Sequence, residues 1–154
     1  MKESARIADQ LSRAYSGKAW HGPSLKFLLR GISTAQAAAR PIENAHSIWE
    51  LVLHIAAWDR AVCERILSGK DTTLPPEKNF PAVVDTTDRA WKQALKMLDQ
   101  GHKEQLAAMQ GFKDAHLDRK LGNRDYSFYL TMHGAVQHDL YHAGQIAILK
   151  KLVK

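Results

Sequence analysis

With 154 residues, of which 45% are hydrophobic, the sequence has the size and composition of one globular domain, and we expect a single domain over residues 1–154. Its apolar runs are far shorter than the roughly 20 residues that span a bilayer, and its charged first residues lack the apolar core of a signal peptide, so we expect a cytoplasmic protein without a membrane partner. The formal charge of +6 is dispersed, with no basic run longer than two residues, which argues against nucleic acid as a partner.

The N-terminal part of the sequence predicts three helical segments. Apolar residues at helical spacing indicate a first helix from about Glu3 to Tyr15, which Ser16-Gly17 ends. Gly22-Pro23 opens a second helix, because proline is tolerated in the first turn. A further short turn is expected from Ser33, before Pro41.

The rest of the sequence predicts three long helices. The first of them begins at a capping box, Ser47 to Glu50, and continues to Gly69. The loop that follows, Asp71 to Pro81, is long enough to be a crossover or a partial lid. The remaining helices are expected from about Asp85 to Met109 and from about Tyr126 to Val153. Since no stretch alternates as a strand does, we predict an all-α fold, a four-helix bundle with an extra N-terminal helical segment.

Three of the eight histidines suggest a metal site. His138 and His142 are four residues apart on a strong helix, so they lie one turn apart and differ by about 40° around its axis. Two imidazoles placed in this way can bind one ion, although many such pairs are ordinary surface residues. His54 lies in the apolar middle of its helix, where an unpaired imidazole would be costly to bury. It is either a hydrogen-bonded core histidine or a third ligand that faces the pair across the bundle.

Three blocks of the sequence resemble the DinB/YfiT-like metal-binding proteins. They are Ala19 to Leu25, His46 to Ile55 and Gly134 to Ile146, and the last is quite specific. The resemblance extends across nearly the whole chain. It implies a four-helix bundle whose helix order departs from simple up-and-down, and a three-histidine metal site made by His54, His138 and His142. It also implies metal-dependent thiol S-transfer, isomerisation or hydrolysis as the reaction types found in such proteins.

Three neutral histidines would leave a divalent ion with open coordination positions for water or a small thiol. Zn²⁺ and Ni²⁺ both suit imidazole ligands, and the sequence does not distinguish them. Candidate catalytic residues are Gln145, which lies three residues beyond His142, and Tyr141, which could lie at the rim of the site. Glu50 is a third candidate, as a base near the metal, although its role in the capping box is enough to account for its presence. The expected substrate is a small molecule, such as a low-molecular-weight thiol.

The other histidines are expected outside the metal site. His133 lies roughly 140° from the face of His138, and His21 belongs to a loop that could cap the pocket. His46 is expected to pack locally, and His102 and His116 to face solvent. Cys63, about 180° from His54, is expected to be a small buried residue.

Two functions remain open at this stage. We favour a metal-dependent enzyme, a thiol S-transferase or a hydrolase, because an all-histidine site with open positions is typical of catalytic metals. The alternative is a non-catalytic, stress-related protein that binds a metal or a ligand. A homodimer is also expected, with Trp49, off the ligand face of its helix, as an exposed aromatic contact.

Overall fold

The computed structural model describes residues 2–153, and the regular elements of this range are helices. In chain order they are α1 (Glu3–Tyr15), α2 (Leu25–Leu28), α3 (Thr34–Ala38), α4 (Ile48–Ser68), α5 (Pro76–Asn79), α6 (Asp88–Gly111), a 3₁₀ turn (Asp114–His116) and α7 (Phe128–Leu152). The all-α fold predicted from the sequence is confirmed. None of these helices is long and apolar enough to cross a membrane.

Local hydrogen bonds set the ends of the long helices. At the start of α4, Ser47 Oγ accepts from the Glu50 amide at 3.2 Å and Glu50 Oε2 accepts from the Ser47 amide at 2.8 Å, so the predicted capping box is formed. Helix α6 starts at Asp88 and not at Asp85, because the N-cap is Thr87, whose hydroxyl accepts from the Ala90 amide.

Helix α7 also begins later than expected, at Phe128, because the hydroxyl of Ser127 caps it by accepting from the Leu130 amide. The second predicted helix is shorter than expected. It ends at Leu28, and Gly31, at φ +73°, turns the chain toward α3.

The four long helices form a bundle in which chain neighbours are not always space neighbours. Helix α1 packs against α6 and α7, and α4 packs against the same two helices, so α1 and α4 occupy opposite corners. Two buried apolar clusters fill the bundle. One includes Ile55, Leu98 and Ile146, and the other includes Leu11 and Met132. This helix order departs from simple up-and-down packing, as the sequence resemblance implied.

Helix α4 has almost no solvent-facing side in its first half, and this overturns one expectation. Trp49 is only 2% exposed, and its ring packs against Trp91 of α6 with 5.2 Å between the ring centroids. The expectation that Trp49 is an exposed dimer contact was therefore wrong. The side chain is part of the core, while Trp20 in the loop after α1 is fully exposed.

Candidate metal centre

The three predicted histidines converge between α4 and α7. The ring centroid of His54 lies 5.0 Å from that of His138 and 4.6 Å from that of His142, and the last two are 4.4 Å apart. One ring nitrogen of each histidine lies within 4.8 Å of the others. These distances confirm that His54 faces the histidine pair across the bundle. The group could therefore bind a metal ion.

A backbone carbonyl sets the orientation of His54. Its Nδ1 lies 2.7 Å from the carbonyl oxygen of Asn79, and because a carbonyl can only accept, Nδ1 carries the proton. The lone pair is then on Nε2, which accepts a hydrogen bond from His138 Nε2 at 3.0 Å. Nitrogens that share a tetrahedral zinc ion would be about 3.3 Å apart, so this spacing suits a shared ion.

The segment that contains α5 covers one side of His54. Phe80 stacks on the ring at 4.0 Å between centroids and also stacks on His46 at 3.7 Å. The side chain of Asn79 accepts a hydrogen bond from Trp58 Nε1 at 2.8 Å. The loop that was expected to be a crossover or a partial lid thus contacts the site directly, and His46 packs locally as expected.

Gln145 plays the same orienting role for His142. The amide oxygen of Gln145 accepts from His142 Nδ1 at 2.6 Å, which leaves Nε2 of that ring with the lone pair. Gln145, named above as a candidate catalytic residue, thus contacts one of the three histidines directly. Partners of this kind fix the tautomer and direction of metal-binding histidines in known sites.

All three imidazoles favour the neutral form that a metal requires. Burial is the main cause that lowers the pKa of each ring, and for His138, which His54 and His142 also crowd, the value falls to about 3. Neutral rings with their lone pairs free are the form that ligates divalent cations.

A cavity of about 310 Å³ opens beside His138. Its walls are largely apolar and include Trp58, Val62 and Leu130, with Arg65 and Asp59 among the few charged residues. The centroid of the Trp58 ring is 5.9 Å from that of His138, so this tryptophan forms part of the wall next to the histidines. A cavity of this size suits a small molecule.

Glu50 and Tyr141, the other candidate catalytic residues, lie at different places relative to the cluster. Glu50 is held by its capping role and by an ion pair with Arg40, so its carboxylate is already bound. Tyr141 is 66% exposed and its ring centroid is 5.1 Å from that of His142, at the rim of the cluster.

A sequence model of the DinB superfamily matches residues 20–146, a range that includes all three histidines. The chain belongs to the DinB superfamily. Comparisons with curated proteins and with solved structures gave no match.

Among the histidines outside the cluster of this DinB-superfamily protein, the expected exposure was wrong for one. His102 was expected to face solvent but is 3% exposed, and its ring stacks on Tyr15 at 3.8 Å between centroids. His116 is half-buried on the 3₁₀ turn and His21 is exposed. His133 packs against Tyr129, with the two ring planes tilted by 56°, and is not part of the three-histidine group.

Sequence reasoning missed two features of this DinB-superfamily site. The first is Asn79, whose carbonyl orients His54 from a loop with no regular pattern. The second is a buried pair of carboxylates, Asp59 and Asp139, which are 2% and 1% exposed. Burial raises the pKa of both, for Asp139 to about 7, and Asp139 further raises that of Asp59. The sequence signal was an acidic residue on a helix face that is otherwise buried.

Proposed function

We propose that this protein is a metal-dependent enzyme in which His54, His138 and His142 hold one divalent ion, Zn²⁺ or Ni²⁺. The observation that carries the proposal is the convergence of three neutral imidazoles beside a cavity. Within residues 2–153 this group contains no fourth side-chain ligand. Three protein ligands with a free position are typical of catalytic zinc, whereas structural zinc sites usually have four.

Hydrogen bonds to the histidines would fix their tautomers before a metal ion binds. Asn79 and Gln145 hold the Nδ1 protons of His54 and His142, so the Nε2 lone pair of each ring is available to the ion. An ion bound there would lower the pKa of bound water, or of a bound thiol, toward neutrality. Trp58 and Val62 would keep the substrate end of the cavity apolar and reduce access of bulk water. The reaction type that we propose is thiol S-transfer or hydrolysis of a small molecule.

Elemental analysis of the purified protein, followed by thiol-transfer and ester or amide hydrolysis screens with the identified metal, tests this proposal. We expect about one equivalent of divalent metal and a reaction that His142→Ala abolishes. His116→Ala is the matched control, because it removes a half-buried imidazole outside the cluster. A reaction that survives in His142→Ala would contradict the proposal. A protein that binds metal but fails every screen would favour the non-catalytic alternative.

We also propose that the protein is a homodimer, with the contact on the outer face of α7. Tyr141, Ile148 and Leu152 are 66%, 59% and 49% exposed and recur at helical spacing on this face. Exposed apolar residues grouped on one helix face are typical of interaction surfaces. Light scattering tests the proposal. We expect twice the 17.3 kDa chain mass for the wild type and the monomer mass for Ile148→Lys. A wild-type monomer at micromolar concentration would refute it.

A further inference from the structure

The cavity beside the histidines contains a buried cation that the proposed chemistry does not use. Arg65 lies on α4, about two helical turns after Trp58, and lines the cavity together with Val62 and His138. The residue is only 6% exposed. A guanidinium removed from water is costly unless an anion or several acceptors compensate it.

The described residues compensate Arg65 only in part. Its Nε and Nη2 both donate to one acceptor, the carbonyl oxygen of Thr72, at 3.0 and 2.6 Å. None of the ion pairs found among residues 2–153 includes Arg65. The two N–H groups of Nη1 and the second one of Nη2 therefore remain for another partner. One N–H of Nη1 and the remaining N–H of Nη2 form the end-on fork that matches the two oxygens of a carboxylate.

The position of Arg65 relative to the histidines limits the size of that partner. Its Cζ lies 5.2 Å from the centroid of the Trp58 ring, and this ring centroid lies 5.9 Å from that of His138. The guanidinium is therefore no more than about 11 Å from the His138 ring. A molecule with a short carbon chain can span this distance along the indole face.

Asp59, the acidic residue on the cavity wall, repels an anion less than an exposed carboxylate would. It is 2% exposed, and burial together with the carboxylate of Asp139 raises its pKa, which favours the neutral acid. Arg65 is then the principal charge on a wall that is otherwise mostly apolar.

We propose that Arg65 binds the carboxylate of a small, otherwise apolar substrate whose reactive end reaches the three histidines. This inference rests on the proposed function for the identity of the reactive end, a thiol or a hydrolysable group. It adds that the substrate is an organic acid and that Arg65 determines this specificity. The chain between the two ends lies against Trp58.

Calorimetric titration of the metal-loaded protein with ω-mercaptoalkanoates of increasing length, and with ω-mercaptoalkanols of the same lengths, tests the proposal. We expect the acids to bind about 10- to 100-fold more tightly than the alcohols at the best length, since a hydrogen-bonded charge pair replaces a neutral contact. Equal affinity of acids and alcohols at every length would overturn the proposal.

Arg65→Gln should remove the preference for acids while leaving the affinity for alcohols within a few-fold. Arg60→Gln is the matched control, because it removes the same charge from an exposed position of the same helix. The readout is the ratio of acid affinity to alcohol affinity. Loss of the Arg65–Thr72 hydrogen bonds could loosen the loop, but this would lower the affinity for both kinds of ligand and leave the ratio unchanged. A preference for acids that persists in Arg65→Gln would overturn the proposal.

Two measurements test the carboxylate contact independently of the metal chemistry and without relying on the Arg65 variant, which could fail to fold. In metal-free protein, alkanoates should still bind more tightly than alkanols of equal length. In wild-type protein, the guanidinium NMR signals of Arg65 should shift when butanoate is added, and unchanged signals at saturation would overturn the carboxylate contact. If mercaptans do not coordinate in the loaded protein, the thiol chemistry fails while the alkanoate result still decides the role of Arg65.

Discussion

Replacing Gln145 by leucine should weaken metal binding without unfolding the protein. The amide oxygen accepts the Nδ1 proton of His142 at 2.6 Å, and this bond leaves Nε2 as the ring nitrogen whose lone pair is available to a metal ion. Loss of such a partner typically lowers metal affinity about 10- to 100-fold, which corresponds to roughly 1.4–2.7 kcal/mol. Leucine has a similar volume, so the packing of α7 should change little.

Competition with a chelator of known affinity measures this effect as a change in metal Kd. Gln137→Leu is the control, because it makes the same chemical change at an exposed position of α7. Far-UV circular dichroism would establish that both variants keep their helices. A Kd for Gln145→Leu within twofold of the Gln137→Leu value would refute the orienting role assigned to Gln145.

Four further predictions concern stability, pH and partners. Trp49→Ala should lower the free energy of unfolding by about 3–5 kcal/mol because it empties a core position, whereas Trp20→Ala at a fully exposed position should cost less than about 0.5 kcal/mol; urea denaturation compares them. His142→Ala should lose metal but keep its helical circular dichroism at room temperature, since buried apolar clusters stabilise the bundle. Unfolding of the metal-free protein would instead show that the ion is structural. Burial lowers the pKa of His102 to about 4, so as the pH falls below 6.5 the unfolded chain takes up the proton before the folded protein does. The free energy of unfolding should therefore fall by about 3 kcal/mol between pH 7 and pH 4, and His102→Gln should lose that part of the pH dependence. Binding to generic duplex DNA should be weak and strongly reduced by salt, and tight, salt-resistant binding in a filter assay would contradict the proposed partner class.

The sequence was sufficient for the histidine pair on α7 because helical periodicity is a local property. The i, i+4 spacing of His138 and His142 places both on one face whatever surrounds the helix. The apolar run around His54 indicated burial, and burial of a histidine indicated a partner. Which partner His54 meets depends on how the helices are arranged, and it was the resemblance to the DinB/YfiT-like proteins that implied the histidine pair.

The errors at Trp49 and His102 have a different origin, since they depend on which neighbours a helix acquires. An angle of 140° from His54 moves Trp49 off the ligand face, but α4 contacts α3, α6 and α7, so this angle points into another part of the core. His102 follows Gly101, where an added Cβ would come within 3.2 Å of Asp59 Cβ, which shows how closely α4 approaches α6 there. The polar residues that follow His102 in sequence gave no sign of this contact.

The hydrogen bond between the Asn79 carbonyl and His54 has a consequence for motion. Residues 76–80 contact His54 at two points, through the Asn79 carbonyl and the Phe80 ring, and contact the neighbouring Trp58 through the Asn79 side chain. The segment cannot swing away without releasing the His54 proton from its acceptor. Fluctuations of the loop and rotation of the imidazole are therefore one coupled event. Occupation of the histidines by a metal would slow amide hydrogen exchange across this segment, even though the segment itself supplies no ligand.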